Sequence, residues 1–139
     1  MNQQTGYHFD DGVPIYQQIA ERIKQEILSG ALQGGDQVMS TNQYATFYRI
    51  NPATVAKGFQ VLVAEGVLQK RRGIGMFVSP HAREQLRSER RERFFADVVE
   101  PMLAQARLLG IPLAEVIRHI REQEAERSRQ GGHGGSNEK

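Results

Sequence analysis

The hydrophobic period of this chain changes at Gly66, and that change constrains the fold more than any other feature of the sequence. Before it, apolar residues recur at helical spacing. After it come two short segments around a basic, glycine-bearing turn. The first helical stretch runs from Pro14 to Ser29. Ile15, Ile19, Ile23 and Ile27 share one stripe, with Tyr16, Ala20 and Leu28 beside it, because a spacing of four returns to the same helix face. Gly30 fits its stop. ALQGGDQV reads as a loop with two glycines. Ser40-Thr41-Asn42-Gln43 then matches a capping box, serine at the N-cap and glutamine three residues on. It opens a short helix that carries Tyr44, Ala45 and Phe47. YRI makes a brief turn. A third helix starts with Asn51 as N-cap and Pro52 at the first helical position and ends near Gly66.

Residues 67–70 (VLQK) and 76–79 (MFVS) read as two short strands, joined by the basic turn RRGIG. This is a hairpin pattern. Helix, helix, helix, hairpin is the order of a winged helix-turn-helix, with the second and third helices as the turn motif and the hairpin as the wing. The expected fold class is therefore mainly α with a small β-hairpin wing. Residues 1–12 read as a flexible tail, 13–79 as the winged helix-turn-helix, 80–128 as a helical dimerisation extension and 129–139 as a disordered, low-complexity tail.

Within the extension, the charged run REQLRSERRER reads mainly as a solvated helix face laced with i,i+3 and i,i+4 pairs. Pro101 removes a helix hydrogen bond and clashes with the preceding turn, so a kink or break is expected between Val98 and Pro101. Phe95, Val98, Val99, Met102, Leu103 and Ala106 form one apolar stripe, with Leu109 at its end. A last helix, Pro112 to about Arg127, places Leu113, Val116, Ile117 and Ile120 on another. Two helices cover each other only in part, so these residues are the expected dimer interface.

Charge points the same way when its distribution is followed. The formal net charge is only +2 over 139 residues. Between Gln37 and Pro80, however, five bases (Arg49, Lys57, Lys70, Arg71, Arg72) face one acid (Glu65), a local +4. A clustered basic excess on a near-neutral chain is the electrostatic footprint of a nucleic-acid partner. The third helix keeps its apolar residues late (Val55, Phe59, Leu62, Val63). Its first turn offers Asn51, Ala53, Thr54 and Lys57, short, polar or basic groups suited to base edges and phosphates at a helix N-terminus. Arg71 and Arg72 in the wing turn are suited to phosphate or the minor groove, with Lys70 as a phosphate contact and Gly73 and Gly75 allowing positive φ and close approach. Ser40, Thr41 and Asn42 at the start of the second helix and Arg49 in the turn complete the expected DNA-contacting set.

Other chemistries find little support. There are no cysteines. His8, His81, His119 and His133 have no partners at metal-ligand spacing. GIG and GGDQ lack the strand–glycine–helix context of a phosphate-cradling loop. No nucleophile with a base, and no paired carboxylates, stand out. Neither an enzyme nor a cofactor is expected. The first twelve residues are polar, without an apolar signal core, and no apolar run approaches the ~18 residues of a membrane span, so a cytoplasmic location is expected.

Three stretches, PIYQQIAERIKQEILSGAL, INPATVAKGFQVLVAEGVL and RRGIGMFV, lie in order between Pro14 and Val78. There the chain resembles the DNA-binding domain of the GntR family of bacterial transcription regulators. The remainder, with ARLLGIPLAEVIRHI, is similar to the YtrA subfamily, which carries a two-helix extension in place of a large ligand-binding domain. The resemblance implies a homodimeric repressor that binds a double-stranded, palindromic operator, with an ABC transporter operon among the expected targets. A small-molecule effector, where there is one, would sit between protomers or beneath the DNA-binding domains. The chain departs from the family at Val38-Met39-Ser40-Thr41-Asn42, where Leu-Pro-Ser and a following arginine are usual, and at Met76, where threonine is usual. The competing reading is an architectural or protein-interaction winged helix without a defined operator.

Overall fold

The computed structural model describes Phe9 and residues 11–132. The order of elements is α1 (Ile15–Ser29), α2 (Thr41–Tyr48), α3 (Pro52–Ala64), β1 (Leu68–Arg71), β2 (Gly75–Val78), α4 (Ala82–Phe94), a π-helical turn (Phe95–Val99), α5 (Glu100–Leu108) and α6 (Leu113–Gly131). Contacts divide the chain into a unit that ends at Arg90 and a second that begins at Arg91.

In the first unit, α1 buries Ile19, Ala20, Ile23 and Ile27, the expected stripe. Ile15, at the head of that stripe, is 41% exposed. Gly30, at φ 91°, closes the helix. The α3 helix packs on α1 through Val55, Phe59 and Leu62. The approach is close at Gly58, where a Cβ would stand 2.9 Å from the Tyr16 carbonyl and 3.2 Å from an Ile19 methyl. Only glycine lets the two backbones meet there. Val63, expected to face inward, is 38% exposed, because one step of about 100° from Leu62 turns it to the rim of the helix's apolar face. Tyr44 of α2 meets Phe59 edge to face at 5.6 Å, which fixes α2 against α3, and Tyr48 of its own helix at 4.6 Å. Phe47 lies outside the core, edge to face with Tyr48 at 4.8 Å.

The strands pair antiparallel with Leu68 opposite Val78 and Arg71 opposite Gly75. Each is one residue off the expected span, so Arg71 closes a strand and the turn proper is Arg72-Gly73-Ile74. The expected loop ALQGGDQV is partly sheet. Gln37 bridges Phe77, Gly35 N–H donates to the Val78 carbonyl at 2.8 Å, and Val38 N–H donates to that of Met76 at 2.9 Å. Residues 35–38 thus satisfy the open edge of β2. Phe9, inside the expected tail, packs against the core; residues 1–8 lie outside the described residues.

The charged run after Pro80 is not wholly solvated. Ala82 and Leu86 of α4 are buried, one helical turn apart. Arg83 Nε donates to the Leu28 carbonyl at 3.1 Å, and Arg90 makes a two-pronged bond to Glu21 at 2.7 and 2.8 Å. The first unit therefore extends ten residues past the expected boundary at Pro80, up to Arg90. The reason is a sparse apolar pair hidden among charges.

In the second unit the helix does not break before Pro101. It widens instead. Glu100 N–H donates to the Phe95 carbonyl, five residues back. The π turn absorbs the register that a proline without an N–H would otherwise disrupt. The α5 helix ends with Gly110 at φ 72° and Ile111 N–H on the Ala106 carbonyl at 2.9 Å, a Schellman-type close. The α6 helix runs to Gly131, past the expected end near Arg127 and into the expected tail; residues 133–139 lie outside the described residues. None of its nineteen residues is buried. Among the described residues no helix is long and apolar enough to cross a membrane.

Candidate nucleic-acid interface

Local hydrogen bonding builds the first turn of α3. Asn51 Oδ1 accepts from Ala53 N–H at 2.8 Å, and Pro52 occupies the first helical position, where a missing N–H costs nothing. The N–H groups of Thr54 and Val55 donate to the Asn51 carbonyl at 3.0 and 3.2 Å, so the cap satisfies the first donors while the helix keeps its positive end. Asn51, Ala53 and Lys57 are exposed and Thr54 is half-buried, while Val55, Phe59 and Leu62 anchor the helix from below. The Lys57 side chain is engaged as well, because its ammonium rests over the Tyr16 ring at 4.2 Å. This cation–π contact ties it to α1.

The turn between α2 and α3 is set by Arg49, which adopts a left-handed conformation (φ 57°). A non-glycine residue there is uncommon. Its N–H donates to the Ala45 carbonyl, as does that of Ile50 at 2.9 Å, so two bonds hold the joint. At the start of α2 both halves of the capping box form. Gln43 N–H donates to Ser40 Oγ at 3.1 Å and Ser40 N–H to Gln43 Oε1 at 2.9 Å. The Ser40 hydroxyl is thus committed to the cap, whereas Asn42 is exposed and Thr41 half-buried.

The wing brings one of its bases, Lys70, close to these helices. Lys70 and Met76 line a groove of about 320 Å³ together with Thr41 of α2 and Ala56, Gln60 and Val63 of α3. The start of α2, the flank of α3 and the wing therefore converge on one surface. Asn42 lines a neighbouring groove with Met39, Gln43, Thr46 and Phe47. Arg71 stacks on the Phe77 ring at 4.3 Å, and Arg72 is exposed in the turn. Gly73 (φ 77°) and Gly75 (φ 145°) adopt the conformations that the sequence required of them.

Gln37 was not legible from its sequence context. Its Nε2 donates to the Ile74 carbonyl at 3.1 Å, and a Cβ on Gly75 would fall 2.5 Å from that nitrogen. A glutamine after a glycine pair carries no signal of its own; its role depends on the bridge to Phe77. His81 and His119 are exposed, and His8 and His133 lie outside the described residues.

The residues expected at a dimer interface are in the second unit and mostly face solvent: Phe95 at 66%, Leu109 at 69%, Leu113 at 59% and Ile120 at 51% exposed. Val98, Met102 and Ile117 are also exposed and Val99, Leu103 and Val116 half-buried; Ala106 alone is buried.

The profile of the bacterial regulatory proteins of the gntR family matches residues 15–78, α1 through the wing. The HTH-type transcriptional repressor YtrA of Bacillus subtilis is 30% identical over 109 residues, which are 78% of this chain and 83% of that protein. A GntR family transcriptional regulator from Listeria monocytogenes has a similar structure, with a TM-score of 0.68 and 28% identity over 82% of this chain and 98% of that one. A regulator assigned to the same family from Bacteroides thetaiotaomicron gives a TM-score of 0.62 and 32% identity over 81% of this chain and 98% of its own. Three of these similarities extend beyond residue 78 into the helical extension.

Proposed function

Because the chain belongs to the gntR family of bacterial regulatory proteins, and is thus a DNA-binding transcription regulator rather than an enzyme, we propose that it is a cytoplasmic repressor that binds a palindromic operator as a homodimer. The observation that carries the reading is the first turn of α3. It is capped by Asn51, exposes Ala53 with Thr54 half-buried beside it, and opens a helix whose later residues Ala56, Gln60 and Val63 line a groove with Lys70 of the wing. A helix N-terminus of this kind fits the major groove, where a threonine hydroxyl or a small methyl meets base edges. Arg71, Arg72 and Lys70 supply the phosphate contacts, which position the protein without reading sequence. Thr41 lines the same groove as Lys70 and Asn42 a neighbouring one, and Asn51, Arg49 and Lys57 complete the proposed contact set.

Similarity to a transcriptional repressor along most of both chains supports repression rather than activation. The exposed apolar stripes of α5 and α6 support the dimer, since contiguous apolar patches mark interfaces and a two-fold pair buries each patch against its own copy. The same symmetry carries two copies of α3 to inverted half-sites. The family resemblance adds an ABC transporter operon as the expected target. Selection from a random pool of duplexes tests the reading. The expected product is an inverted repeat bound far more tightly than scrambled DNA. A pool that never enriches would leave a winged helix without an operator.

A further inference from the structure

Ile74 stands at the tip of the wing and is 64% exposed. Its backbone is held on both sides. Its N–H donates to the Arg71 carbonyl at 2.9 Å, and its carbonyl accepts from Gln37 Nε2 at 3.1 Å. Gly73 and Gly75 flank it at φ 77° and 145°, and the lack of a Cβ on Gly75 makes the room that Gln37 needs. Gln37 is itself tied to β2 through its bridge to Phe77. A fixed tip between two glycines thus presents one aliphatic side chain to solvent, after Arg71 and Arg72 with Gly73 between.

An aliphatic group does not recognise phosphate, and the arginines beside it already can. What it fits is the floor and sugar walls of a minor groove. There an A·T pair offers acceptors only, whereas a G·C pair adds the guanine N2 amino group as a donor that projects from the floor. A methyl-bearing side chain pressed against that amino group strips its water and returns no acceptor, which is costly. Apolar side chains on minor-groove binders are a known mode of contact, and basic neighbours favour the negative potential of A·T-rich grooves. Resting on the regulator reading above, we propose that Ile74 is a specificity-determining residue, which selects A·T over G·C in the minor groove by desolvation and shape.

The test uses the full chain and the duplex enriched from a random pool. Each A·T pair is replaced in turn by G·C and by I·C. Inosine lacks the N2 amino group but keeps the major-groove face of guanine. At one pair or more per half-site, G·C should weaken the native chain on the order of tenfold, the usual scale for one mismatched pair, and I·C should restore binding. The Ile74→Ala chain, which loses no core contact, should bind the A·T, G·C and I·C duplexes alike at those pairs. If I·C is as weak as G·C everywhere, or if Ile74→Ala keeps the native preference, the inference is overturned. If no sequence enriches from the pool, the regulator reading fails first, and this inference with it.

Discussion

Two residues of the α3 first turn, Asn51 and Thr54, separate stability from recognition. Asn51 caps the helix by accepting from Ala53 N–H, so Asn51→Ala should lower unfolding free energy by about 1 kcal/mol, read as a shift of the urea midpoint. Thr54→Ala should leave that midpoint nearly unchanged. It should cost about 1–3 kcal/mol on the operator and nothing on scrambled DNA, as loss of a base contact does. Equal losses on both duplexes would assign Thr54 to positioning. Asn51 and Pro52 were legible because capping chemistry is local and leaves its mark within three residues. Lys57 was only half legible: its position on the helix was clear, but its contact with Tyr16 depends on how α1 crosses α3. Gly58 was silent for the same reason, since a glycine in a helix reads as a weakness until the Tyr16 carbonyl opposite it is known.

At the scale of the element, the wing and α4 make different demands. The wing is a four-residue pair of strands braced by residues 35–38, and Arg72 is exposed in its turn. Arg72→Ala should weaken specific and random DNA alike and flatten log K against log [salt] by ~2 for a dimer, one phosphate per protomer; an unchanged slope would remove Arg72 from the phosphate contacts. The hairpin was visible from its turn residues, whereas the edge added by Gln37 and Val38 was not, because a two-residue pairing leaves no period to read. On α4, the hydrogen bonds from Arg90 hold the Glu21 carboxyl below its ordinary value of 4.5, and Glu21 in turn raises Arg90. A depressed carboxylate pKa stabilises the fold above the unfolded value. That stability is lost as pH falls below 4.5 and through the folded value. The pair is a third to a half exposed, so the effect at neutral pH is screened to about 0.5 kcal/mol. Urea unfolding at a series of pH values should therefore show Arg90→Ala slightly less stable than the native chain at pH 7, with the difference shrinking as the pH falls below 4.5. A constant difference across that range would place the effect in packing instead.

For the whole molecule, the unburied α6 and the exposed residues of the π turn and α5 are the features that a single chain leaves unresolved. A nineteen-residue helix with no buried residue has its apolar positions open to a partner. Val99→Glu should give monomers in sedimentation, leave the first unit folded and weaken operator binding; a dimer with unchanged binding would move the interface elsewhere. The broad order of helices and hairpin was legible because hydrophobic period is a property of the chain alone. The boundary at Arg90 was not, since it rests on Leu86 and on an ion pair between residues 69 positions apart in sequence. The central claim, that α3 and the wing read a particular DNA sequence, is tested most directly by one titration: the full chain against the enriched inverted repeat and against its scrambled counterpart, at the same salt. The account predicts two chains per duplex and binding to the repeat tighter by roughly a thousandfold or more. Equal affinity for the two duplexes would contradict it.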